Sequence, residues 1–133
     1  MGYMGLSHWV ESDGAADFRS ELQDCPLDKK SIRALIMKEL KDGGNSYNTS
    51  GPVNIALVME DEGKEWGDGG DTTPSFSKLL SKKEFVAILK GLDGQIADCD
   101  NKSEWAGDDD NRLWHKGNFK RMKDCVYRKT YKE

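Results

Sequence analysis

The stretch SKKEFVAILKGLDGQIADC, residues 81–99, decides the fold. Ser81 followed three positions later by Glu84 forms a capping box. Each of the two side chains satisfies a backbone N–H that the first turn of a helix leaves unpaired. Leu80 and Phe85 bracket the box as a hydrophobic staple. Phe85, Ile88, Leu89, Leu92, Ile96 and Cys99 then recur at three- and four-residue spacing, which predicts one buried helix face over more than three turns. Gly91 and Gly94 each weaken a helix by about 1 kcal/mol relative to alanine. Their presence here predicts a bend or a close approach by a neighbour.

Working towards the N-terminus, residues 60–75 (EDEGKEWGDGGDTTPS) read as an acidic, glycine-rich loop carrying Trp66, and the whole loop is bounded at 60–77. A connection of that length without structure of its own is usually functional or disordered. Residues 53–60 fit two templates. Alternation of Val53, Ile55, Leu57 and Met59 suits a strand, whereas Ser50-Gly51-Pro52 suits a helix start with proline in the first turn; a short helix is preferred. Gly43 to Pro52 is loop. Before it, Asp28 is an N-cap, Leu27 and Ile32 suit a staple, and Gly43 is the stop signal for a helix buried through Ile32, Leu35, Ile36 and Leu40. A further helix is expected from Ser12–Asp13, with Ala15, Phe18 and Leu22 on one face, ending before Pro26. Residues 1–10 have no helical period and read as an extended segment laying Tyr3, Met4, Leu6 and Trp9 over the core.

Towards the C-terminus, Glu104 to Asp110 is a second acidic stretch. Phe119, Met122, Val126 and Tyr127 then predict a last helix over about 118–130. The expected fold is therefore mainly α: a single domain over 1–133, four to five helices, an extended N-terminal segment and long acidic loops. The alternative is α+β with a small two-stranded sheet.

With 133 residues, 36% hydrophobic and 33% charged, the chain suits one modest core under a densely charged surface. No apolar run approaches a membrane span, and no basic-then-apolar leader opens the sequence. The three cysteines, Cys25, Cys99 and Cys125, are odd in number and far apart, which fits cytoplasmic thiols serving as small buried hydrophobes better than a disulfide framework. The net charge of −4 is unevenly spread: residues 1–111 carry 22 acidic and 12 basic side chains, residues 112–133 carry 2 and 8. Such polarity can mark a partner surface.

The chemistry-bearing patterns fall short. Counted from Asp98, a calcium loop would need an oxygen ligand at position five, glycine at six and glutamate at twelve, but the sequence offers Lys102, Ser103 and Asp109. His8, His115 and the cysteines lack zinc-ligand spacing. No nucleophile elbow occurs. The Gly67–Asp71 stretch is flanked by carboxylates that repel phosphate. No catalytic residue, metal or cofactor is expected.

The opening Met1-Gly2-x-x-Gly5, Trp9 and Ser12-Asp13-x-Ala15-x-Asp17-Phe18 resembles a family of small bacterial proteins known as a domain of unknown function, whose members begin Met-Gly-x-Trp-Gly. The likeness spans about residues 1–18. Met4 stands where that family has Trp, and one extra residue separates Trp9 from the cap. The resemblance implies a mainly helical fold with Gly2, Gly5 and Trp9 as structural pieces. It brings no catalytic residue.

Two functional expectations follow. The first is a non-catalytic cytosolic protein-binding module, inhibitor- or immunity-like, of a bacterium or its virus. It would act through Glu65, Trp66, Asp68, Asp71, Trp105, Asp108, Asp109 and Asp110, which combine aromatic anchors with a charged rim. The alternative is nucleic-acid binding through Lys120, Arg121, Lys123 and Arg128, interleaved with Trp114, Phe119, Tyr127 and Tyr131 as single-strand binders interleave cations and rings. The sequence pI near 5.3 opposes it.

Overall fold

The computed structural model describes residues 13–42, 51–65, 72–100 and 109–130. The fold class is mainly α. In chain order the elements are α1 (Asp13–Asp24), α2 (Lys29–Asp42), α3 (Gly51–Glu60), a 3₁₀ turn (Ser77–Leu79), α4 (Lys82–Cys99) and α5 (Asp109–Thr130). Among the described residues the sole sheet-like feature is an isolated antiparallel bridge between Glu65 and Thr72, so the α+β alternative is set aside. The extended segment expected over 1–10, Ser12 and the Gly43 stop signal lie outside the described residues.

The centre of the molecule is α3, the segment that suited both strand and helix. Every residue from Val53 to Met59 is buried. A helix that is apolar on all sides must be enclosed by others, and α3 contacts α1, α2, α4 and α5. Ile55, Leu57 and Met59 are fully buried, each contributing about 1.5–3 kcal/mol by leaving water. The alternation that suggested a strand comes from a sequence that is apolar nearly throughout. Asn54, also buried, donates to Glu39 Oε2 of α2 at 2.8 Å.

The neighbours approach α3 at backbone distance. A Cβ on Gly51 would lie 2.3 Å from the Glu39 carbonyl oxygen, and a Cβ on Gly91 would lie 2.2 Å from Pro52 Cγ. Of the two readings of Gly91, close packing is the one observed.

The outer helices follow the expected stripes. Ala15, Phe18 and Leu22 of α1 and Ile32 and Ile36 of α2 are fully buried, as are Ile88, Leu92 and Cys99 of α4. Phe18 meets Phe76 edge-on at 5.9 Å. Asp28 caps α2, its Oδ1 accepting Ser31 N at 2.8 Å. The Leu27 half of the expected staple is not formed, since Leu27 is 53% exposed. Here the carboxylate cap alone fixes the entry of the chain. Ser81 and Glu84 form the capping box, with Leu80 and Phe85 both buried beside it.

The last helix begins at Asp109, nine residues before its expected start. Its first turns escape the hydrophobic pattern because Arg112 occupies the buried position, 8% exposed, where a leucine would have announced the helix. Arg112 Nη1 donates to the Cys99 carbonyl at 3.2 Å, satisfying the C-terminal end of α4. Asp109 and Asp110 fall in the first turn, where the helix dipole favours carboxylates. Phe119, Met122 and Val126 are buried as expected; Tyr127 is half exposed and lays its ring on Phe85 at 5.7 Å.

Candidate functional site

Most of the described cations of α5 lie beside carboxylates, some of the neighbouring elements and some of α5 itself. Lys116 pairs with Asp100 at 2.6 Å, Lys123 with Asp93 at 2.7 Å and Arg128 with Asp124 at 2.9 Å. Lys129 donates to the Met59 carbonyl at 3.0 Å and lies 3.6 Å from Glu62. Arg121 faces Glu60 at 4.0 Å and donates to Asn118 Oδ1 at 2.9 Å. The exposed pairs are individually weak. Together they place three of the four cations considered for nucleic acid, Arg121, Lys123 and Arg128, beside carboxylates of their own chain; Lys120 is exposed. Four of the eight cations of the C-terminal segment, Lys116, Arg121, Lys123 and Lys129, thus face carboxylates at the end of α3, in or just after α4, and in the turn after α3, whereas Arg112 and Arg128 pair within α5.

The described residues flanking both acidic segments are anchored to the helical body. For residues 66–71 the anchor is built where α3 ends. Gly63, at φ +78°, turns the chain in a conformation that glycine adopts without strain. Gly63 N donates to the Thr73 carbonyl at 3.0 Å, and Thr73 N donates to the Lys64 carbonyl at 2.9 Å. Arg19 of α1, buried, donates to Thr73 Oγ1 at 3.1 Å. Glu62 accepts Phe76 N at 2.8 Å, Ser77 N at 2.7 Å and Ser77 Oγ at 2.9 Å. For residues 101–108 the anchor is the Arg112 contact to Cys99, the Lys116–Asp100 pair and the Arg112–Asp109 pair at 3.3 Å.

Of the residues expected to bind protein, Glu65 is exposed and bridged to Thr72, Asp110 is exposed, and Asp109 is exposed and paired with Arg112. Trp66, Asp68, Asp71, Trp105 and Asp108 lie outside the described residues. The two anchors are not adjacent. One sits beside Lys129 and the other beside Arg112, seventeen residues and so about 25 Å apart along α5. The length of α5 separates the two anchors, which rest on Arg19, Glu62 and Arg112, residues the sequence reading missed. An isolated arginine or glutamate carries no pattern by which periodicity could find it.

The surroundings of the three thiols disfavour the thiolate. Burial pushes Cys25, Cys99 and Cys125 upwards, and the carboxylates of Asp28, Asp100 and Glu60 respectively push the same way. A thiol displaced in that direction is a poor nucleophile at neutral pH. Cys99 and Cys125 are buried as expected, whereas Cys25 is half-buried. His115 is packed edge-on to Trp114 at 4.8 Å with Phe119 at 6.1 Å, and burial lowers its pKa, favouring the neutral ring. Among the described residues no three His, Cys, Asp or Glu side chains are grouped as metal ligands, and no helix is long and apolar enough to cross a membrane.

No protein-family model matches the chain, and comparison with curated proteins and with solved structures likewise gives no match.

Proposed function

We propose that the chain is a non-catalytic, inhibitor- or immunity-like protein-binding module that presents its two Trp-bearing acidic segments to a protein partner. The observation that carries this reading is the construction of the anchors. Three hydrogen bonds to Glu62 and a buried Arg19–Thr73 contact fix the described residues on either side of a six-residue segment whose sequence is Trp-Gly-Asp-Gly-Gly-Asp. Binding residues characteristically sit on loops positioned by a rigid scaffold. The separation of about 25 Å between anchors is compatible with one partner, since an ordinary interface of about 800 Å² per side extends that far. The internal pairing of α5 cations supports the protein over the nucleic-acid reading.

The test is affinity capture on the tagged chain from host lysate, with and without nuclease, followed by separate Trp66→Ala and Trp105→Ala variants. A stoichiometric protein partner that survives nuclease and weakens by at least about 2 kcal/mol with either variant is expected. Binding unchanged by both substitutions sinks the proposal. Capture that vanishes with nuclease, and with Lys120, Arg121, Lys123 and Arg128 all changed to Glu, transfers the function to α5.

A further inference from the structure

We infer that Glu60 and Arg121 form a proton-operated joint between α3 and α5, tight when Glu60 is protonated and looser when it is ionised. Glu60 is the last residue of the central helix, where the dipole disfavours a carboxylate. Its side chain is 10% exposed, and Oε1 is sealed from solvent without a hydrogen-bond partner. Opposite it, Arg121 Nε is likewise sealed and unbonded, and the 4.0 Å between Nε and Oε2 is too long for a hydrogen bond. The guanidinium is held off by Asn118, which takes its Nη2 at 2.9 Å. One carboxylate oxygen and the one guanidinium nitrogen aimed at it are therefore sealed and unbonded at the contact of two helices, while the rest of the guanidinium reaches Asn118 and solvent, so the cation returns little of what burying the Glu60 charge costs.

The groups facing Glu60 are known on each side. Arg121, Cys125 and Lys129 occupy one stripe of α5 at four-residue spacing, and Asp61 and Lys64 come from its own turn. Arg19 of α1 bears on the neighbouring Asp61. Lys129 is already engaged by the Met59 carbonyl and Glu62. Burial raises the pKa of Glu60, and the opposing pull of Arg121 does not restore it. The folded chain thus holds this proton at a higher pH than the unfolded chain. The joint is fully stabilised below the ordinary glutamate value and loses that stabilisation as pH rises through the folded pKa.

Amide exchange across 118–130, expressed as protection factors from about pH 5 to about pH 8, reads the joint directly. In the native chain, protection rises as pH falls, by at most about tenfold per unit for one linked proton. In Glu60→Gln, which keeps the shape and removes the titration, that pH dependence is absent. Identical profiles in the two proteins overturn the inference. Should the variant not fold, the side-chain carbon resonance of Glu60 in the native chain decides the matter: a midpoint above the ordinary glutamate value upholds the joint, and one at or below it overturns it.

Discussion

Glu60 and Glu62 stand two residues apart on the same turn, with side chains 10% and 9% exposed, and their surroundings are opposite. Glu62 accepts three hydrogen bonds, two from backbone amides that open the 3₁₀ turn and one from Ser77, with Lys129 at 3.6 Å. Glu60 faces a single cation at 4.0 Å, and one of its oxygens is unbonded. Burial and charge are the same at both positions. Only the supply of donors differs. A buried carboxylate is stabilising when its lone pairs are matched one by one, and a cation nearby does not substitute for that match. Other buried acids follow the same order. Glu39 has one strong donor, Asn54, and burial still raises its pKa. At Glu84 burial pushes upwards too, but bonds from the Ser81 hydroxyl and amide outweigh it and the pKa is lowered.

The sharpest way to break this contrast is to truncate both residues. Glu62→Ala strands two backbone amides and the Ser77 hydroxyl and removes the carboxylate facing Lys129, and a loss of about 3–5 kcal/mol in urea unfolding is expected. Glu60→Ala removes a carboxylate that no donor serves, leaving an Arg121 side chain that is 40% exposed and able to hydrate. Its expected effect is below about 1 kcal/mol. Equal losses at the two positions would mean that local donor count does not govern the cost of burial here.

Glycines of α4 extend the contrast from charge to volume. Gly91 and Gly94 are one turn apart and cost the helix the same propensity. A Cβ on Gly91 would meet the Pro52 ring at 2.2 Å, whereas one on Gly94 would meet nothing within 4 Å. Gly91→Ala is expected to lose about 1–2 kcal/mol, an overpacking cost of up to about 3 kcal/mol partly offset by helix propensity. Gly94→Ala should gain about 0.5–1 kcal/mol. Thermal unfolding of the two variants reads the signs; a stabilised Gly91→Ala would show that α3 and α4 are less closely seated.

What the sequence disclosed follows from the same distinction. Periodic features were legible: the stripes of α1, α2 and α4, the capping box and the mainly helical class all rest on patterns repeated along one element. Residues 53–60 left two templates open because a helix enclosed on all sides has no stripe, and α5 was foreshortened because Arg112 fills a buried position with a charge. The anchors of the acidic segments were illegible for a further reason. Arg19 reaches Thr73 and Lys129 reaches Glu62 across 54 and 67 residues of chain, and no local spacing encodes such a meeting. Of the candidate site, the residue types were readable and their separation along α5 was not.

The mildest test concerns the carboxylate whose donors are most local. Ser81→Ala removes the hydroxyl bond to Glu84 while the Ser81 amide, at 2.7 Å, stays in place. A loss of about 1 kcal/mol at neutral pH is expected, typical of a helix N-cap. Its pH dependence should run opposite to that of Glu60. The lowered pKa of Glu84 means its contribution is present above the ordinary glutamate value and is lost as pH falls through the folded pKa, so the deficit of Ser81→Ala shrinks on acidification. The raised pKa of Glu60 makes its contribution full in acid and lost as pH rises. Set against the native chain, both variants should therefore lie nearest to it in acid and depart from it as pH rises, Ser81→Ala towards a lower urea midpoint and Glu60→Gln towards a higher one. If both differences changed in the same direction with pH, donor supply would not be what separates these two buried acids.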